Sequence, residues 1–235
     1  MKKYILLLIL IFVCCGKQSE KSQNVVSVLS DTTEDTFLAK INDTILISKL
    51  GVNQNIWEDY RFRFGSLNSL VHNKREAFYL EQENALLGNE LQRKHKVKLF
   101  KTQISKLLAQ SNNKEDSNSS IWLPLIEEIK ALQQLPNAKS TLYLFSDLQE
   151  NTSWFSIYNP KDKFQLEKNS SKIVALFLKQ LDEQKNNNSQ LKVVVVFQPR
   201  NQDEDESFTL MKGLYKKLFN HLNIPIEFTS NLTID

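Results

Sequence analysis

The stretch LKVVVVF, residues 191–197, decides the fold class. Four successive valines between Lys192 and Phe197 leave no polar alternation, so the segment suits a strand covered on both faces. Such strands belong to open sheets with helices packed on each side. The flanking sequence agrees. A helix is expected from about residue 172 to 184, and polar KNNNSQ (185–190) separates it from the strand. After the strand, NQDEDES (201–207) places carboxylates where a helix N-terminus favours them, and 208–222 continues as an amphipathic helix. A last strand is expected over 224–228, with Pro225 better tolerated at a sheet edge than in its centre.

Further upstream the same alternation repeats. NVVSVL (24–29) is a buried strand ending at Ser30-Asp31, and TLYLF (141–145) is another, ending at Ser146-Asp147. YRFRF (60–64) alternates aromatic and basic residues as a half-exposed strand, and 77–80 adds a short one. Apolar positions at helical spacing predict helices over 34–50, 86–110 and 121–132. Gly51 is a plausible stop for the first, and Pro124 fits the first turn of the third. On the second, Arg93, Lys94, His95, Lys96, Lys98 and Lys101 are read as a solvated face. Residues 111–120 are expected to be loop, and 149–169 irregular. The count is six strands in an open, mostly parallel α/β sheet of Rossmann-like type with helices on both faces.

The first fifteen residues read as an address. Lys2-Lys3 precede ten apolar residues, YILLLILIFV (4–13), then Cys14-Cys15 and polar GKQSEKSQN. The run falls short of the ~20 residues needed to span hydrocarbon, and its layout is that of a secretory signal. Ending at cysteine without an A-x-A site, it resembles a bacterial lipoprotein signal. That resemblance implies residues 1–14 as signal peptide, Cys15 as the lipidated residue with Cys14 as the alternative, and 15–23 as a flexible tether. Residues 24–235 then form one α/β domain. The resulting location is the cell envelope, lipid-anchored at the periplasmic or outer-membrane face. An uncleaved anchor or plain secretion are the other readings of the same segment.

Composition removes several function classes. The 235 residues carry 30 basic and 27 acidic side chains, and two of the basic ones are Lys2 and Lys3. The remainder is nearly neutral, which argues against nucleic acid as a partner. Five scattered glycines form neither a dinucleotide fingerprint nor a P-loop. Two adjacent cysteines exclude an internal disulfide framework and a cysteine-rich zinc site. The histidines His72, His95 and His221 have no ligand spacing, and no serine sits in a nucleophile elbow, so an enzyme is not expected.

In open α/β sheets ligands bind beyond the carboxyl ends of strands. Two strands here end in Ser-Asp, as Ser30-Asp31-Thr32-Thr33-Glu34-Asp35 and Ser146-Asp147-Leu148-Gln149-Glu150. Between them, Ser117-Asn118-Ser119-Ser120 precedes a helix. This arrangement resembles the von Willebrand factor type A (VWA) family across roughly 24–229. Its metal-ion-dependent adhesion site uses Asp-x-Ser-x-Ser after the first strand, a Thr before a middle helix, and an Asp after the fourth strand. The resemblance implies a metal site of Asp31, Thr33, Asp35, Ser119 and Asp147, with Ser120 a near-equal candidate for Ser119. Asp35 replaces the family's second Ser, and Ser replaces its Thr. Oxygen-only donors suit Mg²⁺ or Ca²⁺. Taken singly, Asp31 and Thr33 can equally cap a following helix, as can Ser119 or Ser120, and Asp147 can satisfy loop amides.

The function so expected is a lipid-anchored, VWA-like module that recruits a protein partner through the Asp31/Asp147 end. The alternative is a structural or assembly lipoprotein with a degenerate, metal-free fold. A metal-dependent hydrolase ranks third, since no general base can be named.

Overall fold

The computed structural model describes residues 22–31, 38–67, 75–110, 120–181 and 190–233. Within them lie six strands: β1 (Gln23–Asp31), β2 (Asp59–Leu67), β3 (Arg75–Leu80), β4 (Ala138–Phe145), β5 (Gln190–Val196) and β6 (Ile226–Thr229). The six helices are α1 (Asp43–Leu50), α2 (Glu90–Gln110), α3 (Trp122–Gln133), α4 (Pro160–Lys168), α5 (Ser170–Lys179) and α6 (Gln202–Leu222). The strands form one sheet in the order β3-β2-β1-β4-β5-β6. All neighbours are parallel except β2 and β3, which are antiparallel. The expected open, mostly parallel six-stranded α/β sheet is therefore present.

Strand alternation divides the core into two layers. Val25, Leu29, Leu142, Leu144, Val193 and Val195 pack on one face with residues of α3, α5 and α6. Val26, Val28, Tyr143, Phe145, Val194 and Val196 pack on the other with α1 and α2. The valine run of β5 thus feeds both layers, which is why it lacks polar alternation. It lies one strand in from the edge rather than at the centre, which β1 and β4 occupy. Pro225 sits just before edge strand β6, where it forfeits no ladder donor and its carbonyl accepts from Val193 N–H at 2.9 Å.

Several boundaries depart from the sequence reading, each for a local reason. Helix α1 starts at Asp43 rather than near 34, because the Asn42 side chain accepts the Ile45 N–H and caps it there. It ends as expected at Gly51, which takes a left-handed φ of 85°. Helix α2 starts at Glu90 rather than 86, after a turn in which Gly88 N–H donates to Asn84 O at 2.7 Å. The stretch expected to be irregular contains α4, opened by Pro160 in its first turn behind an Asn159 cap.

Arg93 is the clearest correction, being buried rather than on a solvated face. Its guanidinium donates to the carbonyls of Ile56, Glu81 (2.6 Å) and Glu58 (2.8 Å), and to Glu83 Oε1 at 3.2 Å. It thereby satisfies backbone acceptors at the ends of β2 and β3 that helix α2 would otherwise leave dry. No helix among the described residues is long and apolar enough to cross a membrane.

Helix α3 is fixed to the sheet by a second buried charge. Glu128, 2% exposed, accepts from Ser27 Oγ of β1 at 2.8 Å, Arg63 Nη2 of β2 at 3.0 Å and Arg75 Nη1 of β3 at 3.0 Å. One carboxylate therefore ties three adjacent strands to one helix. Removing a partner from such a cluster strands the others in a poorly hydrated site. Glu128→Ala is expected to lower unfolding stability by about 3 kcal/mol, read as the shift in a urea midpoint. A loss below about 1 kcal/mol would mean that apolar packing alone seats the helix.

Candidate functional site

Parallel pairing of β1 and β4 brings their carboxyl ends side by side, with Ser30 aligned to Phe145. Asp31 is the last residue of β1, and Ser146-Asp147 follow directly on β4. The Ser146 hydroxyl donates to Asp31 Oδ2 at 3.1 Å and itself accepts the Leu148 N–H at 3.0 Å. Asp147 Oδ1 accepts the Gln149 N–H at 2.9 Å, an Asx-type turn. Asp31, Ser146 and Asp147 are all buried. Leu148 has a left-handed φ of 65°, unusual for a branched residue, and its side chain is wholly buried. That conformation costs about 1–2 kcal/mol, and the buried leucine holds the turn in place.

Glu150, on the same loop, reaches the N-terminus of α3. Its Oε2 accepts the N–H groups of Ile121 (3.0 Å) and Trp122 (2.9 Å), two of the four donors that a helix start leaves unpaired. Trp122 is in turn locked by edge-to-face contacts with Phe177 and Tyr215, at 5.7 and 5.8 Å, and by its indole N–H on Phe177 O at 3.1 Å. The carboxyl of Glu150 is completely buried, and that burial pushes it up to about 7. The two amides oppose the shift, and the charge of Asp31 adds to it.

Tyr215, also wholly buried, is raised well above its ordinary value, first by burial and then by Glu150, Asp147 and Asp31. Among the described residues, Ser120 Oγ, Glu150 Oε1 and Tyr215 OH are buried without a hydrogen-bond partner. These oxygens surround the same strand ends as the two aspartates.

Of the residues expected from the sequence, the structure brings Asp31 and Asp147 to one end of the sheet, joined through Ser146. Thr33, Asp35 and Ser119 lie outside the described residues, as do Cys14 and Cys15. Among the described residues no group of three or more His, Cys, Asp or Glu side chains is arranged to hold a metal ion. The donors present are nonetheless all oxygen, the chemistry a hard cation uses.

No family model matches this chain, and no curated protein does. Several solved structures are similar to this chain, one of them at low similarity. That one is the human COPII-coat protein Sec24c, at 11% identity and a TM-score of 0.35, covering 91% of this chain and 30% of that one. The chain thus spans less than a third of that protein's length.

The sequence reading places Ser146 and Glu150 in the second strand end without giving either a role, and does not place Tyr215 there at all. Glu150 was visible only as the last letter of SDLQE. Its contact with an amide pair 28 and 29 residues earlier has no local signature. Tyr215 looks like any core aromatic of an amphipathic helix.

Glu150 makes stability pH-dependent in a defined direction. An acid whose folded value is raised favours the fold below its unfolded value near 4.5, and that contribution is lost as pH rises through about 7. In chelator-containing buffer, the unfolding free energy is expected to fall by about 3 kcal/mol across this window on account of Glu150. Glu150→Gln should flatten that part of the profile in urea titrations from pH 5 to 8. An unchanged slope would show that Glu150 ionises in the fold as it does in the unfolded chain.

Proposed function

We propose that this chain is a lipid-anchored cell-envelope binding module of the VWA type, recruiting a protein partner through the Asp31/Asp147 end of its sheet. The observation that carries the proposal is the direct link between the two Ser-Asp strand ends, Ser146 Oγ to Asp31 Oδ2. It supports the pairing of the family's leading and late aspartates in one place, on neighbouring parallel strands. In this reading Asp31 and Asp147, with Thr33, Asp35 and Ser119 from the adjoining loops, hold Mg²⁺ or Ca²⁺. The cation offers an open coordination position to a partner's carboxylate. The lipid on Cys15, or on Cys14, keeps the module at the membrane.

A second reading has its own observation. The described residues alone contain no three-carboxylate group fit for a metal. Glu150 spends one oxygen on α3, and Asp147 spends one on its own loop. A structural or assembly lipoprotein that keeps the fold without the metal is consistent with that use. A metal-dependent hydrolase would need a general base, and Glu150, raised to about 7, is wholly buried with one oxygen held by the start of α3.

Calorimetric titration separates the two. The full chain is expected to give a binding heat with Mg²⁺, Mn²⁺ or Ca²⁺ that disappears in Asp31→Ala. Silence with all three metals would sink the metal-dependent reading. In crosslinked pull-downs, capture that survives chelator would favour the metal-free one.

A further inference from the structure

We propose that Leu86, Leu87 and Leu91 form a membrane-docking foot that seats on a phospholipid bilayer, at the opposite end of the sheet from Asp31 and Asp147. The inference rests on the lipid-anchor reading above and adds how the domain stands on the membrane. These three leucines are 93%, 86% and 80% exposed, within six residues of each other. Isolated exposed leucines need no explanation, but a cluster this open is an interaction surface.

The foot is held in shape. Asn84 accepts the Leu86 N–H through Oδ1 at 2.8 Å and the Gly88 N–H through its carbonyl at 2.7 Å. Gly88 lies so close to Trp57 that a Cβ there would fall 2.5 Å from the indole. Buried Arg93 then pins the first turn of α2. The leucines therefore project from a braced turn, and little ordering cost remains on binding.

Strand register says where the foot points. Asn24, near the start of β1, is aligned with Tyr60, and Tyr60 with Leu80, the last residue of β3. Because β3 runs antiparallel, the chain leaves it at the end of the sheet where residue 22 enters β1. Leu86 follows six residues later. The Asp31 end lies about 25 Å away along β1.

The anchor is at the near end. Seven residues separate Cys15 from Gln23, and the eight steps between them reach at most about 28 Å. A lipid on Cys15 would hold the leucines at high effective concentration next to the bilayer.

The adjoining helix suits a headgroup layer. With Arg93 buried, helix α2 carries five lysines and one acidic residue, Glu90. Lys94 pairs with Glu90 and Lys96 with Glu83, whereas Lys98 makes no ion pair among the described residues. Leucines entering the acyl boundary with lysines above them is the pattern of an interfacial segment.

The test uses the full chain in phosphatidylethanolamine/phosphatidylglycerol vesicles whose acyl chains are brominated or not. Leu87→Trp adds a reporter at the foot, and Tyr158→Trp adds one at an exposed site on the loop beyond β4. Bromolipid is expected to quench the added emission of Leu87→Trp about twofold and to leave that of Tyr158→Trp unchanged. Lys98→Gln should lower the docked-to-undocked ratio about fivefold. Equal quenching of the two reporters, or none, overturns the proposal. Shielding of Leu87→Trp from aqueous iodide without bromolipid quenching overturns it too, assigning the leucines to a protein partner. The N-terminal mass of the same sample reports acylation independently. An unacylated chain whose Leu87→Trp is still quenched defeats the anchor reading and keeps the foot, and failure to float with vesicles defeats both.

Discussion

Helix α3 is held by two buried carboxylates, and the placement of everything around the candidate site follows from them. Its own Glu128 reaches down to Ser27, Arg63 and Arg75 on three adjacent strands. At its N-terminus, Glu150 from the loop after β4 takes two of its free amides. A buried carboxylate is costly to desolvate, and each of these holds the helix through the acceptor oxygens it does engage. Each carboxylate therefore tolerates little sliding of the helix. One fixes its height on the sheet, and the other fixes its start against the strand ends.

That clamp explains why the polar end of the molecule is buried yet ordered. Asp31, Ser146, Asp147, Glu150 and Tyr215 are all buried, where charges influence one another strongly. In the proposed reading, positive potential reaches this cluster from two sources. The helix N-terminus supplies part of it at Glu150, and a cation is the proposed source of the rest. The strained turn at Leu148 and three of the four buried unpartnered oxygens among the described residues, those of Ser120, Glu150 and Tyr215, lie at this end, whereas Ser140 Oγ lies toward the other.

The single antiparallel strand gives the molecule two unlike ends. Parallel β1 and β4 both deliver their Ser-Asp termini to one end. Strand β3 carries the chain back to the other, where Arg93 braces the turn that displays Leu86, Leu87 and Leu91. In the proposed arrangement the lipid and the leucines face the membrane, and the aspartates face away from it toward a partner.

By itself the sequence determined the sheet and its covering. The valine run of β5, the apolar strands β1 and β4 and the amphipathic helices were legible because alternation and helical periodicity are local properties of consecutive residues. It also determined which two loops carry Ser-Asp. Tertiary structure alone decided what joins them, namely Ser146 bridging to Asp31 across 115 residues and Glu150 capping a helix 28 residues upstream. The same holds for Arg93, which has the pattern of a surface residue and becomes a buried brace because three carbonyls converge on it. Buried polar groups are chosen by partners distant in the chain, and no local spacing encodes those partners. Pattern therefore reads the apolar framework, whereas the polar contacts that make a site are settled only when the strands and helices meet.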